Sequence, residues 1–445
     1  MTPRPLQRRI ACCLVLVAIA VGCSTVHSPP TGSQVGPQPR LPEPVDRLIP
    51  TVNIAPAVGW ADGATPGAAD GLAVNAFARD LEHPRWLAVL PNGDVLVAET
   101  NAPAGKSAIT GLKGVAMKVV MKQAGAGVPS PERITVLRDA DGDGVAETRR
   151  VFLAGLHSPF GMALVGDWLY VANADELVRV RYAAGALTAG SAPEHVVDLP
   201  GKGRFNHHWT KSLRASPDGR TLYVGVGSNS NAAEHGMAVE VMRANVLAVD
   251  LATRAVSVLA SGMRNPVGLD IQPDSGALWA VVNERDERGD GLVPDYLTSV
   301  QAGAFYGWPW SYYGAHVDTR VQPQDPAQVA RAIAPDYALG SHVAPLGLAF
   351  YTGDALPAHF RHGAFIGLHG SWNRSELHGY VVTFVPFAGG RPAGQREDVL
   401  TGFVDANGDA RGRPVGVVVD RRGAVLVADD VGNAVWRLTA AAPRE

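Results

Sequence analysis

The run Asn206-His207-His208-Trp209-Thr210-Lys211 places two imidazoles and an ammonium group just ahead of a strand-like segment. A neutral imidazole takes a proton from a hydroxyl near neutral pH, which suits a general base. Adjacent side chains on an extended segment point to opposite sides, so the two histidines do not readily share one metal ion. One can face a site while the other packs or meets solvent. Arg264-Asn265 and Arg411-Gly412-Arg413-Pro414 stand in the same place relative to the strands that follow them. Several guanidinium groups around one cavity bind oxyanions bidentately, so the expected ligand is an anion with multiple carboxylates or phosphates.

Two acidic loops offer other chemistry. Asp139-Ala140-Asp141-Gly142-Asp143-Gly144 has the alternating carboxylates and the sixth-position Gly of a calcium loop, but Arg150 stands where the twelfth-position Glu would be. Asp139, Asp141 and Asp143 therefore read equally as a structural calcium site or a polar turn. Asp405-Ala406-Asn407-Gly408-Asp409 is a weaker echo and reads as loop ordering near Arg411. Glu99 reads as an ion-pair partner.

These groups need a frame, and a repeat supplies it. A Pro or Gly leads into a short apolar strand, a polar turn, and a second strand rich in Val, Leu and aromatics. Copies begin at Pro84, Pro159, Lys211, Asn265, Pro345 and Pro414, and further strands are expected at Leu177–Val180, Asn245–Val249, Gly379–Phe384 and Ala434–Leu438. Six hairpins with few helix caps predict an all-β fold, a six-bladed β-propeller over 71–440. Such a ring gathers the first residues of its inner strands around one mouth.

The chain has 50 Gly and 33 Pro in 445 residues, which argues against helical bundles. Its 39 basic and 42 acidic groups leave no cationic excess for gripping a nucleic-acid backbone. Arg4, Arg8 and Arg9 precede an apolar run, Ile10 to Val21, too short to span a bilayer but suited to a signal peptide over 1–22. Ala20-Val21-Gly22-Cys23 resembles a bacterial lipobox, which predicts lipidation of Cys23. The other two cysteines, Cys12 and Cys13, lie within the signal, so no disulfide can form after cleavage. Ser24 after the cysteine favours an outer-membrane anchor facing the periplasm. Residues 23–70, rich in Pro and Gly, read as a flexible tether. The lipid anchor is then the only membrane contact.

The ordered set His208-Trp209-Thr210-Lys211, Arg264-Asn265-Pro266-Val267-Gly268, Asn283-Glu284-Arg285-Asp286, Tyr306-Gly307-Trp308-Pro309 and Arg411-Gly412-Arg413-Pro414 resembles the soluble glucose/sorbosone dehydrogenases. These are six-bladed propellers that use pyrroloquinoline quinone (PQQ). The resemblance implies that His208 is the catalytic base and that Arg264 and Asn265 flank quinone and substrate. It implies that Arg411 and Arg413 hold cofactor carboxylates, with Lys211 as a further cation. It also implies that the backbone carbonyls of Asp286 and Glu287 ligate calcium. Ser228 stands where the glucose enzymes carry an acid, and Arg374, in His369-Gly370-Ser371-Trp372-Asn373-Arg374, replaces their fifth-blade lysine. Both features point to the sorbosone-like branch. The expected substrate is a sugar, sugar aldehyde or polyol, with an electron acceptor of unknown identity.

Two other functions compete. A calcium-dependent lactonase on the same fold would recruit Glu99, Asn173, Asn265 and Asp270. A non-catalytic scaffold needs no site.

Overall fold

Proline lacks an N–H, so it is tolerated at the first residue of a strand. Pro84, Pro345 and Pro414 each open an inner strand, at Pro84–Val89, Pro345–Phe350 and Pro414–Val419. The turns that follow use glycine where the chain must turn left-handed, as at Gly93 (φ 94°) and Gly219 (φ 67°). The computed structural model describes residues 31–442 except 48, 49, 108 and 110. The expected signal peptide, 1–22, and Cys23 lie outside the described residues.

Among the described residues, five four-stranded antiparallel sheets and one of six strands, the fifth blade with two short added strands, form the ring. Their inner strands are Pro84–Val89, Met162–Val165, Lys211–Ala215, Asn265–Ile271, Pro345–Phe350 and Pro414–Val419, the six expected copies. Each inner strand packs on the next, and Pro414–Val419 returns to Pro84–Val89. The second strands are sealed between neighbours: Val95–Glu99 and Val425–Asp429 are buried at every residue. Full burial on both faces explains their continuous Val/Leu/Ala runs.

The strands expected at the periphery are third strands, Glu176–Arg181, Asn245–Asp250, Val381–Ala388 and Ala434–Ala440. Outside them lie Glu194–Asp198, Val256–Ser261, Glu397–Thr401 and, on the last blade, Leu72–Ala78. That last strand comes from before the first blade, so main-chain hydrogen bonds between the two ends of the propeller close the circle.

Part of the expected tether is no tether. Gly36 bridges Ala338 on the outer strand of the fourth blade, and Ala57 bridges Ala410 ahead of the sixth. The backbone of this segment bonds to the rims of blades four, five and six, through Val45 to Arg288, Asn53 to Trp372 and Val58 to Ala410. Ala55 is fully buried. Such a strap is held through its peptide groups, which a Pro/Gly-rich composition does not prevent. A helix, Gly111–Gln123, lies in an insertion of the first blade, and Gln123 accepts from Ala57.

Candidate active site

Inner strands begin, and second strands end, at the same face of the ring, and most of the expected site residues lie there. His208 precedes Lys211–Ala215, and Gly227-Ser228 follows its pairing strand, Thr221–Val226. Arg264 precedes Asn265–Ile271, and Glu284–Asp286 follows Leu278–Asn283. A Cβ on Gly227 would sit 2.1 Å from Asn265 Oδ1 and 2.5 Å from His208 Cβ. Glycine there lets the histidine and the asparagine meet.

His208 Nδ1 lies 2.7 Å from the Ser228 carbonyl and 3.2 Å from the Ser228 hydroxyl. That hydroxyl donates to the Ser230 carbonyl at 2.6 Å, so both oxygens can only accept from the ring. Nδ1 therefore carries the hydrogen, and Nε2 carries the lone pair. Burial, then the Arg264 charge, hold the His208 pKa well below the ordinary imidazole value. His207, its ring 4.9 Å away, is lowered to about 4 by burial and by Arg264.

Arg264 is 5 % exposed; it donates to the Glu284 carbonyl at 2.6 Å and to Asp286 Oδ2 at 3.1 Å. His342 Nδ1 meets the other Asp286 oxygen at 3.2 Å. Burial opposes charge on both groups, but the hydrogen bond with His342 and the Arg264 charge lower the Asp286 pKa, while the hydrogen bond with Asp286 and its charge raise the His342 pKa. Three blades thus meet at Asp286: Arg264 and Asp286 belong to the fourth and His342 leads into the fifth, while Asn231 of the third binds the Asp286 backbone.

The opposite wall was not foreseen. Asp430 Oδ2 accepts from Arg85 at 2.7 Å and lies 2.9 Å from His369 Nε2. Burial lowers His369 to about 4, with Asp430 partly offsetting it. Burial would neutralise Asp430, yet the groups on this one oxygen hold its pKa down. Arg413 joins this wall: its guanidinium lies 4.9 Å over the Tyr380 ring and donates to the Ala55 carbonyl at 3.0 Å. Only the register of Arg85 and Asp430 at strand ends pointed to them.

Several expected ligands fall elsewhere. Lys211 has no exposed surface and donates to the Trp209 carbonyl at 2.9 Å and Asn206 Oδ1 at 3.3 Å. Burial, then Arg243, push its pKa well down, so it is not a free cation at the mouth. Arg411 is exposed, and its charge acts on Asp405; the pairing of Arg411 with Arg413 therefore separates. Arg374 is buried beside the fourth blade and donates to the Asp290 carbonyl at 3.0 Å.

The Asp286 carbonyl accepts from Asn231 at 3.0 Å and from Arg320 at 3.1 Å. Both lone pairs are used, one by a cation, so this carbonyl does not fit a calcium ligand. Glu287 has a left-handed backbone (φ 69°), and its amide donates to Asn373 Oδ1 at 2.7 Å.

Asp139, Asp141 and Asp143, with Glu147, bring ligand atoms within 4.8 Å of one another. They connect the third and fourth strands of blade one and so lie at the far end of the ring. Asp139 accepts from Arg422 at 2.8 Å and from the amides of Gly142 and Gly144. The lactonase set does not assemble. Glu99 is bound by Arg133 at 3.0 and 2.9 Å, and Asp270 pairs with Arg214 at 2.7 Å near the far end of its strand.

Residues 171–378 match the family model for glucose/sorbosone dehydrogenase. The chain is 27 % identical over 307 residues to an uncharacterized protein of Borreliella burgdorferi, covering 66 % of this chain and 79 % of that one. It is 34 % identical over 107 residues to the aldose sugar dehydrogenase YliI of Escherichia coli, 24 % of this chain and 27 % of the relative. The PQQ domain of pyranose dehydrogenase from Coprinopsis cinerea superposes with a TM-score of 0.67 at 20 % identity, over 87 % of this chain and 100 % of that one. A PQQ-bound aldose sugar dehydrogenase from Streptomyces coelicolor gives 0.54 at 17 % identity, over 85 % and 100 %. At these identities the two structures speak for the propeller fold. The matched segment, residues 171–378, contains His208, Arg264, Asn265 and the 284–287 turn, and over it the chain is similar to the glucose/sorbosone dehydrogenases.

Proposed function

We propose that the chain is a quinoprotein dehydrogenase that oxidises a sugar, a sorbosone-like sugar aldehyde or a polyol, with PQQ as cofactor. The observation that carries this is His208, a neutral imidazole with Nδ1–H held by Ser228 and Nε2 left as the basic atom, set beside Arg264. The family-model match over 171–378 and the similarity to an aldose sugar dehydrogenase support the reaction class.

The residues fit an anionic cofactor. Arg264 and Arg413 each keep a buried Nε without a partner, and Asn265 Oδ1 is likewise unpartnered. A polycarboxylate set between the two walls would meet the two guanidinium groups, with Arg413 holding it on one side and Arg264 on the other, while Asn265 Oδ1 is left to accept from a hydroxyl. When bound, PQQ supplies the two-electron acceptor that no protein side chain provides. His208 Nε2 takes the proton of the substrate hydroxyl, and Arg264 keeps the ring unprotonated until then. Asn265, packed on His208 across Gly227, orients the substrate.

Calcium belongs to this reading through the family, and a calcium structure of a Trichoderma reesei family AA12 enzyme is among the similar folds. The Asp286 carbonyl does not fit it, so no step is assigned to the ion. Ser228, standing where glucose enzymes have an acid, supports the sorbosone-like branch. The signal-like start supports export and anchoring at Cys23, facing the periplasm; among the described residues no helix is long and apolar enough to cross a membrane.

Apoprotein mixed with PQQ and calcium should reduce a redox dye when given a sugar, sugar aldehyde or polyol, and not without the quinone. Absence of quinone-dependent reduction across all three classes would overturn the reading.

A further inference from the structure

We propose that the N-terminal strap, residues 51–60, is part of the site, with Trp60 and Asn373 as positioning residues that hold both rims of the mouth in ligand-binding geometry. The ligand's identity rests on the quinone reading; the positioning itself does not.

Strap contacts fall on the segments that frame the anion site. Trp60 Nε1 donates to Asp429 Oδ2 at 2.8 Å, and Trp436 Nε1 shares that oxygen at 2.9 Å. Asp429 Oδ1 accepts the Arg413 amide at 2.8 Å and the Gly432 amide at 2.7 Å. The strap therefore reaches the backbone of Arg413 through one buried carboxylate, and its guanidinium directly through the Ala55 carbonyl. Burial raises the Asp429 pKa to about 6, so its four donors are what sustain it as an acceptor.

The space for this joint is made by two glycines. A Cβ on Gly412 would lie 2.1 Å from Asp429 Oδ2 and 2.7 Å from Trp60 Nε1. A Cβ on Gly432 would lie 2.2 Å from the same oxygen and 2.6 Å from Trp60 Cδ1. The glycine between Arg411 and Arg413 is thus explained by the strap and not by the ligand. Trp60 is also wedged edge-on against Phe403 and Trp436, at 5.6 and 5.3 Å between ring centres.

The other rim is held in the same way. Asn373 Nδ2 donates to the Thr51 carbonyl at 2.6 Å while its Oδ1 accepts the Glu287 amide at 2.7 Å. One side chain thus joins strap, fifth blade and the turn carrying Asp286. Asn53 adds two bonds to the same loop, to the Trp372 and Ser375 carbonyls.

The test uses the full chain and Trp60→Phe, which keeps the ring and removes the N–H, with Trp60→Ala as the harsher change. In the absence of any ligand, amide exchange at Arg413 and Gly432 should accelerate in Trp60→Phe while the rest of the sixth blade exchanges as before. Titrated PQQ should bind about tenfold more weakly, with kcat at saturating quinone changed by no more than about twofold. Wild-type exchange and wild-type affinity in both variants would overturn the proposal. So would weaker binding that merely follows a general loss of Tm in both. If wild-type protein binds no quinone, the functional reading fails; faster exchange confined to Arg413 and Gly432 then still supports the strap, and unchanged exchange refutes it.

Discussion

The two ends of the propeller both gather acidic groups, but they handle them differently. At the far end Asp139, Asp141 and Asp143 crowd together, each bonded to amides of its own turn; the latter two are exposed, and Asp139 alone of the three meets another blade, through Arg422. At the mouth, Asp286 and Asp430 are each shared by groups from different blades, Asp430 buried and Asp286 half-buried. Local bonds make a turn, whereas bonds between blades fix the orientation of cations and imidazoles that a ligand can meet. Closeness of charges alone does not distinguish the two ends; a carboxylate shared by an arginine and a histidine from different stretches of chain does.

Changes at the mouth should therefore act on chemistry, and changes at the far end should not. The largest effect is expected from His208→Ala, with turnover falling about 10²–10⁴-fold while PQQ affinity stays near wild type. Because burial and Arg264 lower the His208 pKa, its neutral, proton-accepting form persists as pH falls. The wild-type rate should accordingly show no imidazole-type decline on passing down through pH 6.5. A decline centred there would remove His208 from the role of base.

A smaller split should separate two neighbouring arginines. Arg413→Gln should weaken quinone binding about tenfold or more, as loss of a charge-assisted hydrogen bond does, and exposed Arg411→Gln by no more than about twofold. Equal effects would mean that the buried and exposed cations are not distinguished as described. Least affected should be Asp141→Asn, with dye reduction and Tm at wild-type values with or without calcium. A calcium-dependent Tm lost in that variant would move a metal site to the far end.

Legibility followed the range of the forces involved. The six inner hairpins could be read because a leading Pro, a turn Gly and a buried apolar run are local properties. The fourth strands could not: Thr148–Ala154 begins Thr-Arg-Arg and is half exposed, and Leu72–Ala78 finds its partner at the other end of the propeller. His208, Arg264 and Arg413 were readable from their register at strand starts. Asp430 with Arg85, 345 residues apart, and His342 with Asp286, 56 apart, depend on which blades become neighbours. Lys211 and Arg411 had the register but not the side-chain environment, which burial and Gly412 decide. The strap was hidden because many of its bonds use backbone groups, the carbonyls at 51 and 55 and the amides at 53, 57 and 58, which any residue but proline supplies.

Titration of the purified chain with PQQ, followed by the change in tryptophan emission, tests the central claim most directly. Saturable binding of one quinone per chain, weakened by Arg264→Ala and by Arg413→Gln but not by Arg411→Gln, is the predicted result. Absence of saturable binding, or binding indifferent to Arg264 and Arg413, would contradict it.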